Sequence, residues 1–266
     1  MTSLPLSWYN AIPVRCSRRS YDKTRQLDND IKDKLHRSCS EFKPYTSCRV
    51  EFVSEPPDDI FFHALGFYGN IKNAPAFLAF IGDMSDDNVQ EKIGYTGEGI
   101  VLEATSLGLG TCWVALTYRS KSALSMLKLN GREKLLAVSP VGHTPETRTL
   151  GENIFSAFGA NRRRKPLAGM VGGLDVSHRP EWAAKAVEAA RLAPSATNRQ
   201  PWSFHIEEDG ITISISGGGP QYNVSKRLDC GIAMLHVELG ALSSGITGKW
   251  ELLKHPRVAR FIVDRP

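Results

Sequence analysis

Three stretches of this chain gather residues that could bind a ring edge and an anion. In Ala193-Pro194-Ser195-Ala196-Thr197-Asn198-Arg199-Gln200-Pro201-Trp202, Ser195, Thr197, Asn198 and Gln200 offer hydroxyl and amide groups that can meet the polar edge of a heterocycle. Pro201-Trp202 closes the stretch with a flat apolar wall. The same residues also read as a polar helix-to-strand loop with a packed tryptophan, and residue types leave both readings open. The second stretch is Arg15-Cys16-Ser17-Arg18-Arg19-Ser20-Tyr21. Arg15, Ser17 and Arg19 alternate, so an extended or helix-entry backbone brings them onto one anion, to which guanidinium groups bind in bidentate fashion. Its alternative is a solvated basic N-terminus. The third is the basic run Arg162-Arg163-Arg164-Lys165 ahead of Pro166, which by itself reads as a solvated basic turn or a localisation-type patch.

The elements that must position these residues follow from periodicity. Pro180 sits where a helix begins and its missing N–H costs nothing. Trp182, Ala183, Ala186, Val187 and Ala190 then share an apolar face, with Glu181, Lys185, Glu188 and Arg191 outward. Pro194 stops that helix, and a strand over 203–206 follows. Earlier in the chain the same order is expected: a helix over 28–40, then a strand over 49–53. The run Ala76-Phe77-Leu78-Ala79-Phe80-Ile81 is continuously apolar, as fits a buried central strand, and 135–141 reads as another.

Self-comparison shows Gly99-Ile100 and Leu107-Gly108 recurring as Gly231-Ile232 and Leu239-Gly240, at an offset of 132 residues. Between them lie helices apolar nearly all round, expected to be buried at an interface where glycines allow close approach. Gly172-Gly173 looks like the joint. The expected fold is α+β: two tandem units, 1–171 and 172–266, packed as one pseudo-dimeric body with central helices and mainly antiparallel sheets.

A length of 266 residues, 41% hydrophobic and 23% charged, suits a globular protein with a substantial core. The net charge of +5 suits an anionic ligand and is too diffuse for nucleic acid. The five cysteines form no Cys-x-x-Cys pair and no metal-ligand spacing with the seven histidines, so free thiols and no metal are expected. No stretch nears the roughly 18 apolar residues of a membrane helix, and the N-terminus lacks signal-peptide character. The expected location is cytoplasmic, with no membrane partner.

The Pro194-Ser195-x-x-Asn198-x-Gln200-Pro201-Trp202 segment resembles the signature beside the flavin ring in the nitroreductase family of flavoproteins. The resemblance runs from about Ile12 to Trp250. It implies FMN as cofactor, with Arg15 and Ser17 on the phosphate and Arg19 on the N1/O2 side of the ring. Arg162 and Arg164 match the family's second phosphate clamp, although spacing does not decide which of residues 162–165 makes contact. Pro194, Ser195, Asn198 and Gln200 complete the expected cofactor-binding set; no catalytic side chain is identified. Glu98 through Trp113 resembles the family's central helix, ending in Gly-Leu-Gly-x-x-Trp. Where the family carries an acidic residue and a glycine near flavin N5, this chain has Ala115 and Leu116.

The resemblance further implies hydride transfer from NAD(P)H through the flavin to a small planar acceptor such as a nitro-aromatic or quinone, with ping-pong kinetics. Ala115 keeps open the alternative of a non-catalytic flavin-binding protein. The phosphate motif occurs only in the first unit and the Asn-x-Gln-Pro-Trp loop only in the second. One complete site per chain is therefore expected, in a chain acting as a monomer with at most weak homodimerisation.

Overall fold

A run apolar on both faces belongs in the middle of a sheet, and the computed structural model places Ala76–Asp83 there as strand β2, buried along all but its last residue. The structure describes residues 4–57, 60–61, 71–115, 118, 120–145, 163–217 and 224–264. Strands β1 (Cys48–Ser54) and β4 (Glu133–Gly142) flank β2 antiparallel, and the short β3 (Gly110–Thr111) gives the order β1-β2-β4-β3. A second sheet contains β5 (Val171–Gly173), β6 (Trp202–Glu207), β7 (Gly210–Ile215), β8 (Gly248–Leu252) and β9 (Arg257–Val263), ordered β5-β6-β7-β9-β8. Without β5, its order β6-β7-β9-β8 repeats that of the first sheet. Only β5 runs parallel to its neighbour. The Gly172-Gly173 joint is thus a strand: both glycines pair with β6, at His205 and Ile206.

Six helices complete the described fold: α1 (Leu6–Ala11), α2 (Asn29–Glu41), α3 (Val89–Ser106), α4 (Ser120–Leu124), α5 (Glu181–Arg191) and α6 (Lys226–Leu242). The Asp28 carboxylate caps α2, accepting from the Ile31 N–H at 2.8 Å. In α5 the expected apolar face is the buried one, while Glu181, Lys185 and Glu188 avoid it. None of these helices is long and apolar enough to cross a membrane. The five cysteines are free.

Helices α3 and α6 cross backbone to backbone. A Cβ on Gly94 would run into the Leu228 carbonyl, and one on Gly231 into the Glu91 carbonyl. Those two contacts exchange places at a spacing of 137 residues. The helix exits agree: Gly108 and Gly245 have φ of 77° and 76°. Beyond them, Leu109 N–H bonds Ala104 O and Ile246 N–H bonds Ala241 O. Trp113 and Trp250 stand at the same spacing.

These features recur at 137 residues, whereas the sequence pairs noted above recur at 132. Gly99 faces the rings of Trp8 and Phe42, and Gly240 faces Ala186 of α5, so neither lies on the α3–α6 crossing. The central helix also starts nine residues before Glu98, at Val89. Glycines inside α3 lower its local helix signal, but close packing needs them there. Charged bonds cross the same seam. Arg227 of α6 reaches both Glu91 carboxylate oxygens, at 2.9 and 2.5 Å. Glu238 accepts from the Tyr95 hydroxyl and the Trp250 indole at 2.7 Å each.

Candidate functional site

Helix α1 ends by handing its last carbonyls to loop donors, among them Arg15 N–H on Ala11 O at 2.9 Å. This turn sends the Arg15 side chain inward, where it is only 5% exposed. Its Nε and Nη1 are buried and have no hydrogen-bond partner among the described residues. The Glu98 Oε1 atom lies 4.0 Å from Nε, beyond hydrogen-bond reach. A buried guanidinium with unmet donors is costly unless an anion meets it.

Arg164 lies close enough to add its charge to that of Arg15. Burial, then the neighbouring Arg15 and Arg191 charges, push its guanidinium down to about 10. Its Nη1 donates to Asn198 Oδ1 at 2.6 Å and its Nη2 to Leu192 O at 2.9 Å. The two like charges repel, and an anion between them would relieve that repulsion.

The loop after α5 holds this segment in place. Thr197, Asn198 and Gln200 take φ of 51°, 56° and 46°, a region costly for a β-branched residue such as Thr197. Several bonds impose it. Asp229 of α6 accepts from Ala196 N–H at 3.0 Å and from Arg199 Nε at 2.6 Å. Arg199 Nη2 donates to Val224 O, and Gln200 N–H donates to Ser195 Oγ at 2.9 Å. Burial raises the Asp229 carboxyl to about 6, against the pull of Arg199.

The Asn198 and Gln200 amides hydrogen-bond the basic segment. Asn198 Nδ2 donates to Arg163 O at 2.9 Å. Gln200, 3% exposed, accepts from Lys165 N–H at 2.8 Å and donates to Arg163 O at 3.2 Å. Asn198 and Gln200 thereby stitch residues 163–165 to the loop, and Asn198 aims Arg164. Pro194 is buried.

On the other side, residues 17–20 run extended. Ser17 is exposed and bridges Thr111 in parallel, Arg18 N–H bonds Thr111 O, and Arg19 O accepts from Lys72 N–H. Arg15 precedes this extended stretch with its side chain turned inward, whereas Ser17 is exposed. Arg162 and Leu116 lie outside the described residues. Ala115 packs partly buried against the core.

Sequence reasoning missed the polar pair behind Arg15. Glu98, 0% exposed, accepts from the Trp113 indole at 2.7 Å and lies 3.1 Å from His236 Nε2. His236 Nδ1 is 2.9 Å from Ala189 O. The available signal was an acid and a histidine each flanked by small or apolar residues in a central helix. At the 137-residue spacing, Glu98 corresponds to Leu235 and His236 to Gly99, so no such pair recurs there. There the rings of Trp8 and Phe42 meet edge-on at 4.8 Å, and Phe42 stacks on Tyr95. No cluster of His, Cys, Asp and Glu among the described residues could hold a metal. The open clefts along β5 and β6 share no residue with this site.

Comparison with known proteins gives one family match, to the family described as "Putative TM nitroreductase", over residues 7–241. Among solved structures, a "putative nitroreductase" from Thermotoga maritima MSB8 is 22% identical with a TM-score of 0.64, covering 96% of this chain and 93% of its own. An FMN-dependent nitroreductase from Clostridium difficile R20291 is 19% identical with a TM-score of 0.43, covering 52% of this chain and 88% of its own. A nitroreductase with bound FMN from Bacteroides fragilis NCTC 9343 is 16% identical, with a TM-score of 0.43 and coverage of 54% and 91%. The Thermotoga likeness shows the shared α+β fold. No curated protein matches the chain.

Proposed function

Because this chain belongs to the family described as "Putative TM nitroreductase", we propose that it is an oxidoreductase binding one FMN per chain between two fused units, 1–171 and 172–266. The observation that carries this reading is the pair of buried Arg15 donors without partners among the described residues, within electrostatic reach of the half-buried Arg164. The donor set fits a phosphate. Arg15 and Arg164 supply charge, and Ser17, two residues beyond Arg15, supplies a neutral donor. Asn198 and Gln200 act by holding Arg164 and its segment, while Arg19 adds positive charge along the edge that Ser17 shares.

When bound, FMN supplies hydride transfer between NAD(P)H and a small planar acceptor; the protein supplies binding, orientation and electrostatics. The first unit brings Arg15, Ser17 and Arg19, and the second brings residues 195–200, so neither unit alone holds the set. Rings of Trp8, Phe42 and Tyr95 occupy the pseudo-symmetric position, which supports one site. Free cysteines fit a cytoplasmic setting.

A second reading, a flavin-binding protein without turnover, is favoured by Ala115 in place of the family's acidic residue. Anaerobic titration of the FMN-loaded protein with NADH and then NADPH tests the two. Bleaching of the flavin band by either nucleotide supports the oxidoreductase. A flavin that stays oxidised supports the second reading.

A further inference from the structure

Resting on that reading of the site, the geometry points to Glu98 and His236 as a self-neutralised positioning pair that keeps the charge of Arg15 available for the ligand's phosphate. A carboxylate 4.0 Å from an arginine ordinarily claims it as an ion-pair partner. Here the carboxylate is already engaged. His236 Nδ1 faces the Ala189 carbonyl at 2.9 Å, which only accepts, so this nitrogen carries its hydrogen. His236 Nε2 then faces Glu98 Oε1 at 3.1 Å. Two lone pairs cannot face each other there, so one proton resides on that contact and leaves the pair net neutral. The Trp113 indole donates to the other oxygen, Glu98 Oε2, at 2.7 Å.

All of this is buried, with Glu98 and His236 each 0% exposed. The charges consequently act in a low dielectric, where an uncompensated one is felt strongly. The pair also bridges the α3–α6 seam, since Glu98 lies on α3 and His236 on α6. Arg15 therefore keeps its full positive charge, with Nε and Nη1 unspent. Its pseudo-symmetric counterpart, Leu235 with Gly99, has neither charge.

The test is a double-mutant cycle read by FMN and riboflavin affinities, with the thermal midpoint of each protein recorded. His236→Gln strips the pair of its positive partner, so Glu98 captures Arg15. FMN affinity is expected to fall about tenfold or more, and riboflavin affinity to change less than about twofold, because only FMN carries the phosphate. Glu98→Gln is expected to bind FMN at least as tightly as the wild type. The Glu98→Gln/His236→Gln double variant is expected to recover FMN binding to within about threefold of wild type, a non-additivity that marks direct coupling.

A double variant as weak as His236→Gln, or equal losses for FMN and riboflavin, overturns the pair's role and leaves the FMN site standing. So does a phosphate-specific loss in Glu98→Gln, which decides the matter even where His236→Gln fails to fold. A wild-type chain that takes up neither flavin overturns the site itself, and the pair's role with it.

Discussion

Replacing Arg15 by methionine should make the flavin-free protein more stable and the flavin-bound protein weaker. Methionine keeps much of the aliphatic volume and fills irregular space readily. It removes two buried donors, Nε and Nη1, that lack partners among the described residues. Each such donor costs about 1–3 kcal/mol. The attraction between Arg15 and Glu98 is lost, but Glu98 keeps the Trp113 indole and His236. A net gain of about 1–2 kcal/mol is expected in the flavin-free state. For a chain of this size that raises the thermal midpoint by roughly 2–4 °C per kcal/mol. FMN affinity should fall by about 1.5–3 kcal/mol, the value of a hydrogen bond to a charged group, or roughly 10- to 150-fold. Riboflavin, without the phosphate, should bind nearly as before. Calorimetry of the flavin-free protein and fluorescence titration with both ligands read the outcome. A flavin-free variant less stable than wild type, with equal losses for FMN and riboflavin, would show that Arg15 serves the fold.

Asn198→Ala removes the acceptor of Arg164 Nη1 and the donor to Arg163 O. It should weaken FMN, cost about 0.5–1.5 kcal/mol of stability for each lost bond, and leave the bound flavin's absorption spectrum native; a shifted spectrum would put the amide on the ring. Asp229 is raised by burial from 3.8 to about 6, so the folded chain holds this proton more tightly than the unfolded one. Its contribution to stability is complete below about pH 3.8 and lost as pH rises through about 6. Asp229→Asn should lack that decline, so the stability difference should move in the variant's favour between pH 4 and 7; a pH-independent difference contradicts the assignment. Gly231→Ala sets a Cβ against the Glu91 backbone. It should destabilise by about 1–3 kcal/mol or more, whereas Gly131→Ala, with open space around it, should not.

Local patterns in the sequence were enough where one element carried its own signal. The face of α5, the Asp28 start of α2 and the apolar run of β2 each show up within a single stretch of chain. Arg15, Ser17 and Arg19 stood out as candidates for the same reason, since they alternate within one short stretch of sequence. Relations between distant segments were not. The Asn198 and Gln200 amides could serve a ring or a backbone equally, and their bonds to residues 163–165 are visible only in the folded chain. Glu98 and His236 are 138 residues apart, and nothing local in either helix reveals their contact. The repeat register went astray because Gly-Ile and Leu-Gly pairs recur readily in glycine-rich helices. The matches at 137, among them Gly94 with Gly231, Gly108 with Gly245 and Trp113 with Trp250, are scattered singly.

The central claim is one composite FMN site per chain, with Arg15 from one unit and the 195–200 loop from the other. Titrating flavin-free protein with FMN while recording the mass of the complex tests it most directly. The account predicts saturation at one FMN per 266-residue chain, in a species with the mass of a single chain. Two tightly bound flavins per chain, or binding that requires a second chain, would contradict it.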